Sequence, residues 1–266
     1  MTELSTTDIL SRIEGCSIGR DLRYFPVIDS TNRFLAGLPT GEWSSGTVAL
    51  ADFQESGRGR SGRSWLAPAG TSVMLSVIFQ REPAIPPADY TMMFSLAVRD
   101  AVESAAALEV GLKWPNDVMI SGSKVAGILG ESSRQDNRDR VILGVGINVN
   151  FRGVPSGLFP ENAAALDLAT GHEIAREDVV VGLIRSLNLW YRGLTHRPDD
   201  TFGAWAAALD TVGLYVTIRE SGTTWNGTAL GVQRDGGLLV ETSDGNVRCV
   251  YAADVSVRHT GAFTGQ

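Results

Sequence analysis

The chain has 266 residues, 43% of them hydrophobic, and a formal net charge of −7. That is enough apolar material for one large domain or a domain with a small appendage, and it excludes general disorder. The acidic balance excludes nonspecific nucleic-acid binding, so any site for an anion has to be local.

Residues 5–15 read as a short helix with Ser5, Thr6 or Thr7 as its cap. The extended run YFPVI leads into DSTNRFLAGL (29–38), a second capped helix. TVALADF (47–53) and SVMLSVIF (72–79) read as buried strands, and the segment ESGRGRSGRSW (55–65) joins them. A proline-rich break precedes YTMMFSLAVRDAVESAAAL (90–108), a helix with Asp89 as its expected cap. GLKWPNDVMI (111–120) reads as strand, turn, strand. KVAGILGESS (124–133) and VILGVGINVN (141–150) are further strands, with RQDNRDR between them expected as an exposed loop. Two more helices are expected over 176–194 and 200–209. Beyond them, YVTIRE, TWNGTALGV, GLLVETSD and VRCVYAADVSVR are short β-rich runs that suggest a small barrel of roughly 45–50 residues. The expected class is α+β: a mixed sheet with inserted helices, then a β-domain beginning near Thr211.

Two cysteines, Cys16 and Cys249, make no disulfide framework and fit a reducing cytoplasm. The N-terminus has no basic region followed by an apolar run, and no stretch of about 18 uncharged apolar residues is present to span a membrane. His172, His196 and His259 are scattered, and no His/Cys metal cage is visible, so metal ligands remain unknown.

Four segments carry candidate chemistry. The 55–65 segment concentrates Arg58, Arg60 and Arg63 among glycines. It is either a solvated loop or a nest whose N–H groups and guanidinium forks await an anion, with Trp65 offering a flat stacking face. KWPNDV is a structural turn, or it brings Lys113 and Asn116 to the same site. Lys124 is an edge lysine over apolar surface, or it is aimed at a negative centre. Gly127 inside a strand marks a bulge or close approach by a ligand, Gly144 and Gly146 interrupt a strand and let a ligand reach the backbone, and Asn148 either reads an adenine edge or bonds a neighbouring strand. GVGINVN lacks the strand–GxGxxG–helix context of a dinucleotide fold, and no nucleophile elbow or Walker lysine motif is present. Glu131 and Asp117 do not declare themselves as an acid/base pair.

Taken together, STN (30–32), QESGRGRSGRSW (54–65), KWPNDV (113–118), KVAGILGE (124–131) and GVGINVN (144–150) resemble, in order and spacing, the signature series of the biotin protein ligases. The resemblance runs from about residue 24 to 258. It implies a catalytic domain over 24–210, distantly similar to class II aminoacyl-tRNA synthetases, and an SH3-like β-barrel over 211–266. The implied reaction joins biotin and ATP, with Mg²⁺ on the nucleotide, into biotinyl-5′-adenylate. The biotinyl group then passes to a lysine of a biotin carboxyl carrier protein, such as that of acetyl-CoA carboxylase.

Carried over residue by residue, the resemblance places Ser30, Thr31, Asn32 and Gln54 around the ureido ring. Gly57, Arg58, Gly59 and Arg60 fall near the biotin carboxylate, and Gly127 and Gly144 line the slot. Lys124, Arg58 and Arg60 are the implied catalytic residues. Arg58, Arg60, Arg63, Trp65, Lys113, Asn116 and Asn148 are the implied nucleotide contacts. Residues 1–23 are too few for the winged helix-turn-helix of the two-function members, so the expectation is a ligase without DNA binding. The alternatives are a lipoate or octanoate ligase or transferase, whose glycine-rich RRxxGGG pattern is not seen here, and a noncatalytic nucleotide-binding regulator.

Overall fold

The computed structural model describes residues 3–155, 157–159, 163–220, 222–251 and 254–257. His259 and the end of the expected barrel domain lie outside the described residues. The elements in chain order are α1 (Thr6–Arg12), β1 (Leu22–Phe25), α2 (Thr31–Gly37), β2 (Thr47–Ala51), β3 (Ser72–Gln80), α3 (Pro87–Ala106), β4 (Gly111–Lys113), β5 (Asp117–Ile120), β6 (Ser123–Gln135) and β7 (Arg138–Asn148). They continue with α4 (Leu166–Thr170), α5 (Arg176–His196), α6 (Pro198–Ala207), β8 (Tyr215–Glu220), β9 (Thr223–Val232), β10 (Leu238–Glu241), β11 (Val247–Val250) and β12 (Asp254–Val257).

The first seven strands form one mixed sheet in the order β1-β2-β3-β7-β6-β5-β4. Only β1 and β2 are parallel; the other neighbours are antiparallel. Strand pleating divides the sheet's residues between its faces. Leu75, Val77, Leu143 and Val145 join the large core with Met93 and Phe94 of α3 and Leu183 and Ile184 of α5. On the opposite face, Ile78 and Ile142 pack with Ala49 and Leu35 of α2. Because both faces are covered, β3 is buried from Ser72 to Phe79, and its run is apolar apart from Ser72 and Ser76.

Three local expectations change. Helix α3 begins at Pro87 behind the N-cap residue Pro86, so Asp89 is not its cap. A proline at the first helical position loses no needed donor and has its φ preset. Asp89 is 2% exposed and takes a bidentate pair from Arg234, both bonds 2.7 Å. RQDNRDR is not a loop: β6 and β7 run into it and turn on Asp136 and Asn137 alone, at φ 49° and 64°. Two consecutive positive-φ residues make the tight turn that suits antiparallel strands, and Asp and Asn tolerate that conformation best after glycine. Helix α4 is additional to the expected elements.

The last five strands form an antiparallel sheet, β11-β10-β9-β8-β12, around Val216, Ile218, Ala229, Leu238 and Val240. The connection into it is tied back to β4 and Trp114 by hydrogen bonds. Leu112 N–H donates to Ala208, Asp210 N–H donates to Leu112, and the fully buried Thr211 accepts Trp114 N–H at 2.9 Å. Trp114 Nε1 donates to Gly236 at 2.9 Å, and the Arg234 guanidinium sits 5.2 Å over the Phe202 ring.

One buried ion pair fastens the helical layer to the sheet. Arg176, the first residue of α5, donates to Asp52 just beyond β2, and the two are 5% and 6% exposed. Tyr24 donates its hydroxyl to the same carboxylate, and burial together with that charge raises the phenol's pKa, keeping it a donor. Arg176→Met should lower the unfolding free energy by about 3–5 kcal/mol, because it strands a buried carboxylate. Urea unfolding would show an earlier midpoint at unchanged slope. Adding Asp52→Asn should recover much of the loss, since no uncompensated charge then remains.

Candidate active site

The site lies on the α2 face of the sheet, where the register stacks small residues in rows. Ser76 of β3 pairs with Gly144 of β7, which pairs with Leu129 of β6. One pleat further along, Met74, Gly146 and Gly127 form the next row. A Cβ on Gly144 would fall 2.0 Å from Asn32 Oδ1, and one on Gly146 would fall 2.2 Å from the Trp65 ring. A Cβ on Gly127 would fall 2.8 Å from Lys124 Nζ and 3.0 Å from Trp65. The close approach that these glycines imply is thus made by the protein's own side chains.

Ser30 caps α2, and the helix's first residues, Thr31 and Asn32, are buried. Thr31 N–H donates to Gln54 Oε1 at 2.7 Å, and the Thr31 and Ser76 hydroxyls are 2.7 Å apart. Ser76 donates to Asn32 Oδ1 at 2.6 Å, and Asn32 Nδ2 donates to Glu131 Oε2 at 2.8 Å. This end of the site is neutral and hydrogen-bonding.

The arginine segment is folded. Trp65 N–H donates to Gly57 at 2.9 Å, Gly59 N–H donates to Arg63 at 2.7 Å, and Arg60–Gly62 make one 3₁₀ turn at the tip. Gly57 is required inside this hairpin, since a Cβ there would meet the Trp65 carbonyl oxygen at 2.5 Å. Three of the lining cations have tethers. Arg58 bonds Glu131 at 3.0 Å, Arg60 bonds Asn116 Oδ1 at 2.9 Å, and Lys124 Nζ lies 2.6 Å from Asp117. Asn116 is itself held by donating to the Ile128 carbonyl at 2.6 Å. Lys124 also lies 5.7 Å over the Trp65 ring. The indole N–H of Trp65 is buried without a partner among the described residues.

These parts enclose one cavity of about 430 Å³. Every residue singled out from the sequence lines it except Gly57, which lies in the hairpin beside Trp65. Asn148 lines it while donating its amide to Ala164 at 2.9 Å, so part of that side chain is committed to a neighbouring segment. The sequence reading missed Ser76 and Asp117 as lining residues, and also Arg219 and Val255 from the second sheet. Ser76 was open to discovery as a hydroxyl on the same pleat face as Gly144. Six cations and a single carboxylate, Asp117, line the cavity among the described residues, in a chain whose net charge is −7. The cavity therefore suits a ligand that is neutral and hydrogen-bonding at one end and multiply anionic at the other. Among the described residues no cluster of three or more His, Cys, Asp or Glu side chains is placed to hold a metal ion.

A mixed sheet carrying this cavity and followed by a small antiparallel sheet defines a class, and comparison with known proteins agrees with it. Residues 24–148 match the Biotin/lipoate A/B protein ligase family, and residues 213–258 match the Biotin protein ligase C terminal domain. The chain is 32% identical over 262 residues to the bifunctional ligase/repressor BirA of Bacillus subtilis (strain 168), covering 96% of this chain and 79% of that protein. It is 33% identical over 239 residues to the biotin--[acetyl-CoA-carboxylase] ligase of Paracoccus denitrificans, covering 85% and 96%. The solved biotin protein ligase from Aquifex aeolicus in complex with biotin and ATP superposes with a TM-score of 0.77 at 26% identity, over 91% of this chain and all of that one. The chain belongs to the biotin protein ligase family.

Gly144→Ala tests the neutral end. The added methyl must push Asn32 away, and Ser76 Oγ only 3.1 Å from the same Cβ leaves little room to yield. Overpacking of this kind costs roughly 1–3 kcal/mol. Calorimetry should show biotin affinity reduced by about an order of magnitude or more, while far-UV circular dichroism stays that of the parent. Unchanged affinity would mean that Asn32 does not shape the biotin slot.

Proposed function

We propose that the cavity performs both halves of ATP-dependent biotin ligation to a lysine of a biotin carboxyl carrier protein, as in an acetyl-CoA carboxylase. One observation carries this reading: a neutral polar slot and a cluster of tethered cations adjoin in a single cavity, matching the ureido group of biotin and the phosphates of ATP. Ser30, Thr31, Asn32 and Gln54 take the ureido ring, above the floor that Gly144 and Gly127 leave open. Arg63, Trp65, Lys113, Asn116 and Asn148 serve the nucleotide.

In the first step, a carboxylate oxygen of biotin attacks the α-phosphorus of ATP, and the bond to the departing pyrophosphate breaks. The two reactants are both anionic and repel each other. Lys124, Arg58 and Arg60 offset that repulsion and interact more strongly as charge gathers in the transition state. Mg²⁺ is proposed to arrive on the triphosphate. In the second step the carrier's lysine amine attacks the acyl carbon of the mixed anhydride, AMP leaves, and the amine loses a proton. Closure of the arginine hairpin shields the anhydride from water between the steps.

The neutral hydrogen-bonding slot favours biotin over lipoate, whose dithiolane has no comparable set of acceptors and donors. Ahead of β1 the chain supplies one short helix, α1, bound to α5 through Arg12 and Asp178 at 2.6 Å. We divide the chain near Thr211 and place the reaction in the cytoplasm, a setting that two unpaired cysteines fit. No described helix is long and apolar enough to cross a membrane.

The direct test incubates the protein with biotin, Mg·ATP and a carrier domain. Expected are pyrophosphate release without carrier, and the mass of one biotinyl group on the carrier when it is added. Activation of lipoate but not biotin would overturn the assignment. Lys124→Ala should slow pyrophosphate release roughly 10²–10³-fold while leaving biotin affinity nearly intact. Equal losses in both would make Lys124 a ground-state binder instead. Arg60→Gly removes the bond to Asn116 and adds backbone freedom at the hairpin tip. It should release biotinyl-adenylate faster, seen as biotin on bystander proteins by blotting; wild-type retention would show that Arg60 does not hold the lid.

A further inference from the structure

We propose that Glu131 is a positioning residue that stands behind the cavity and sets both of its ends. It fixes the amide orientation of Asn32 and docks Arg58. The inference rests on the assignment of the cavity to biotin and ATP. Glu131 pairs with Ile142 one pleat beyond the Leu129–Gly144 pair, so it lies on the site face of β6 but does not line the cavity. Its two oxygens serve different elements: Oε2 accepts Asn32 Nδ2 of α2 at 2.8 Å, and Oε1 accepts Arg58 Nη1 of the hairpin at 3.0 Å.

The chemistry of the carboxylate gives the chain of bonds a direction. An ionised carboxylate only accepts, so the amide of Asn32 must turn its NH₂ toward Glu131. Asn32 Oδ1 then faces Ser76 and takes that hydroxyl's single proton. Ser76 Oγ is left to accept from the Thr31 hydroxyl 2.7 Å away, whose one proton is shared with Gln54 Oε1 at 3.1 Å. Gln54 Oε1 is occupied by the Thr31 N–H, which turns the Gln54 NH₂ toward the cavity as a donor. A flipped Asn32 would set two acceptors against each other. A neutral partner in place of Glu131 could accept or donate and would leave either orientation open.

The Arg58 contact is partly exposed, with side-chain exposures of 48% for Arg58 and 33% for Glu131, so it adds little to folding stability. Its effect is on ordering: a guanidinium already held at the cavity loses less freedom when the ligand arrives. The opposite effect is also physical. Glu131 could compete with anionic ligands for Arg58, and its loss would then tighten binding.

The experiment uses Glu131→Gln and, as a second variant of similar length without either polar atom, Glu131→Met. Biotin binding is measured by calorimetry without ATP, and biotinyl-adenylate release by dilution of preloaded enzyme. Each variant is expected to weaken biotin binding about tenfold and to speed adenylate release about tenfold, the scale of one charge-assisted hydrogen bond. On an Arg58→Ala background, the effect on biotin affinity should persist, because it runs through Asn32. The effect on release should shrink, because the part that runs through Arg58 is gone and only the part through Asn32 remains. A merely structural residue would not separate in this way. Unchanged or tighter binding and release in both variants would overturn the inference, and so would equal loss of both effects with Arg58→Ala. If the parent protein forms no biotinyl-adenylate, it is the functional assignment that falls.

Discussion

The site depends on side chains being absent from one face of two strands. Gly144, Gly146 and Gly127 occupy neighbouring pleat positions on β7 and β6, and the missing Cβ atoms are what let Asn32, Trp65 and Lys124 reach the backbone. Glycine inside a strand costs stability, since it packs nothing and loses more backbone entropy on folding than any other residue. The cost is tolerable here because the other face of the same strands is packed without interruption: Leu143, Val145 and Ile147 are almost fully buried against α3 and α5. A strand that alternates bulk and absence can hold the core with one face and a ligand with the other.

The second constraint is charge. Gathering six cations around one cavity would be self-repelling if they were loose, and none of the three proposed catalytic cations is. Arg58, Arg60 and Lys124 are tethered to Glu131, Asn116 and Asp117 respectively. Two of these partners are carboxylates, which lower the local positive potential before substrate arrives. They also aim the cations, so less reorganisation remains to be done when phosphate charge develops. Both acidic partners come from the β5–β6 hairpin that forms the cavity wall, and Asn116 comes from the turn leading into it. The cationic hairpin is contributed by one stretch of chain, and its counterweights by another.

This division explains what could be read from the sequence. The clustered arginines, the glycine-interrupted strands and the WPND turn are dense in unusual residue types, and short-range pattern sufficed to bring most of their residues to one site. Glu131 gave no such signal because its partners Arg58 and Asn32 are 73 and 99 residues away. Asp89 misled for the same reason. An acidic residue just ahead of an alanine-rich helix is a sound local cap, yet its partner Arg234 is 145 residues distant. The turn at Asp136–Asn137 was locally encoded, but the flanking Arg134, Gln135, Arg138 and Asp139 resembled a solvated loop more than the end of two long strands. Local rules thus served where the constraint was local backbone geometry, and failed where a side chain's role was fixed by sheet register and by contact between the two sheets.

That second sheet bears on the chemistry through its attachment more than through its own residues. Arg219 of β8 and Val255 of β12 reach the cavity, and what places them is the joint at Trp114, Asp89 and Arg234. Trp114 donates to Thr211 and Gly236, and its neighbours Pro115 and Asn116 line the cavity. The residue that seats the small sheet therefore adjoins the residue that holds Arg60. From Trp114 the chain runs through Pro115 directly to Asn116, which accepts from Arg60 of the hairpin. The two sheets are accordingly linked through one turn of the chain, with the Arg60–Asn116 bond at the far end of it.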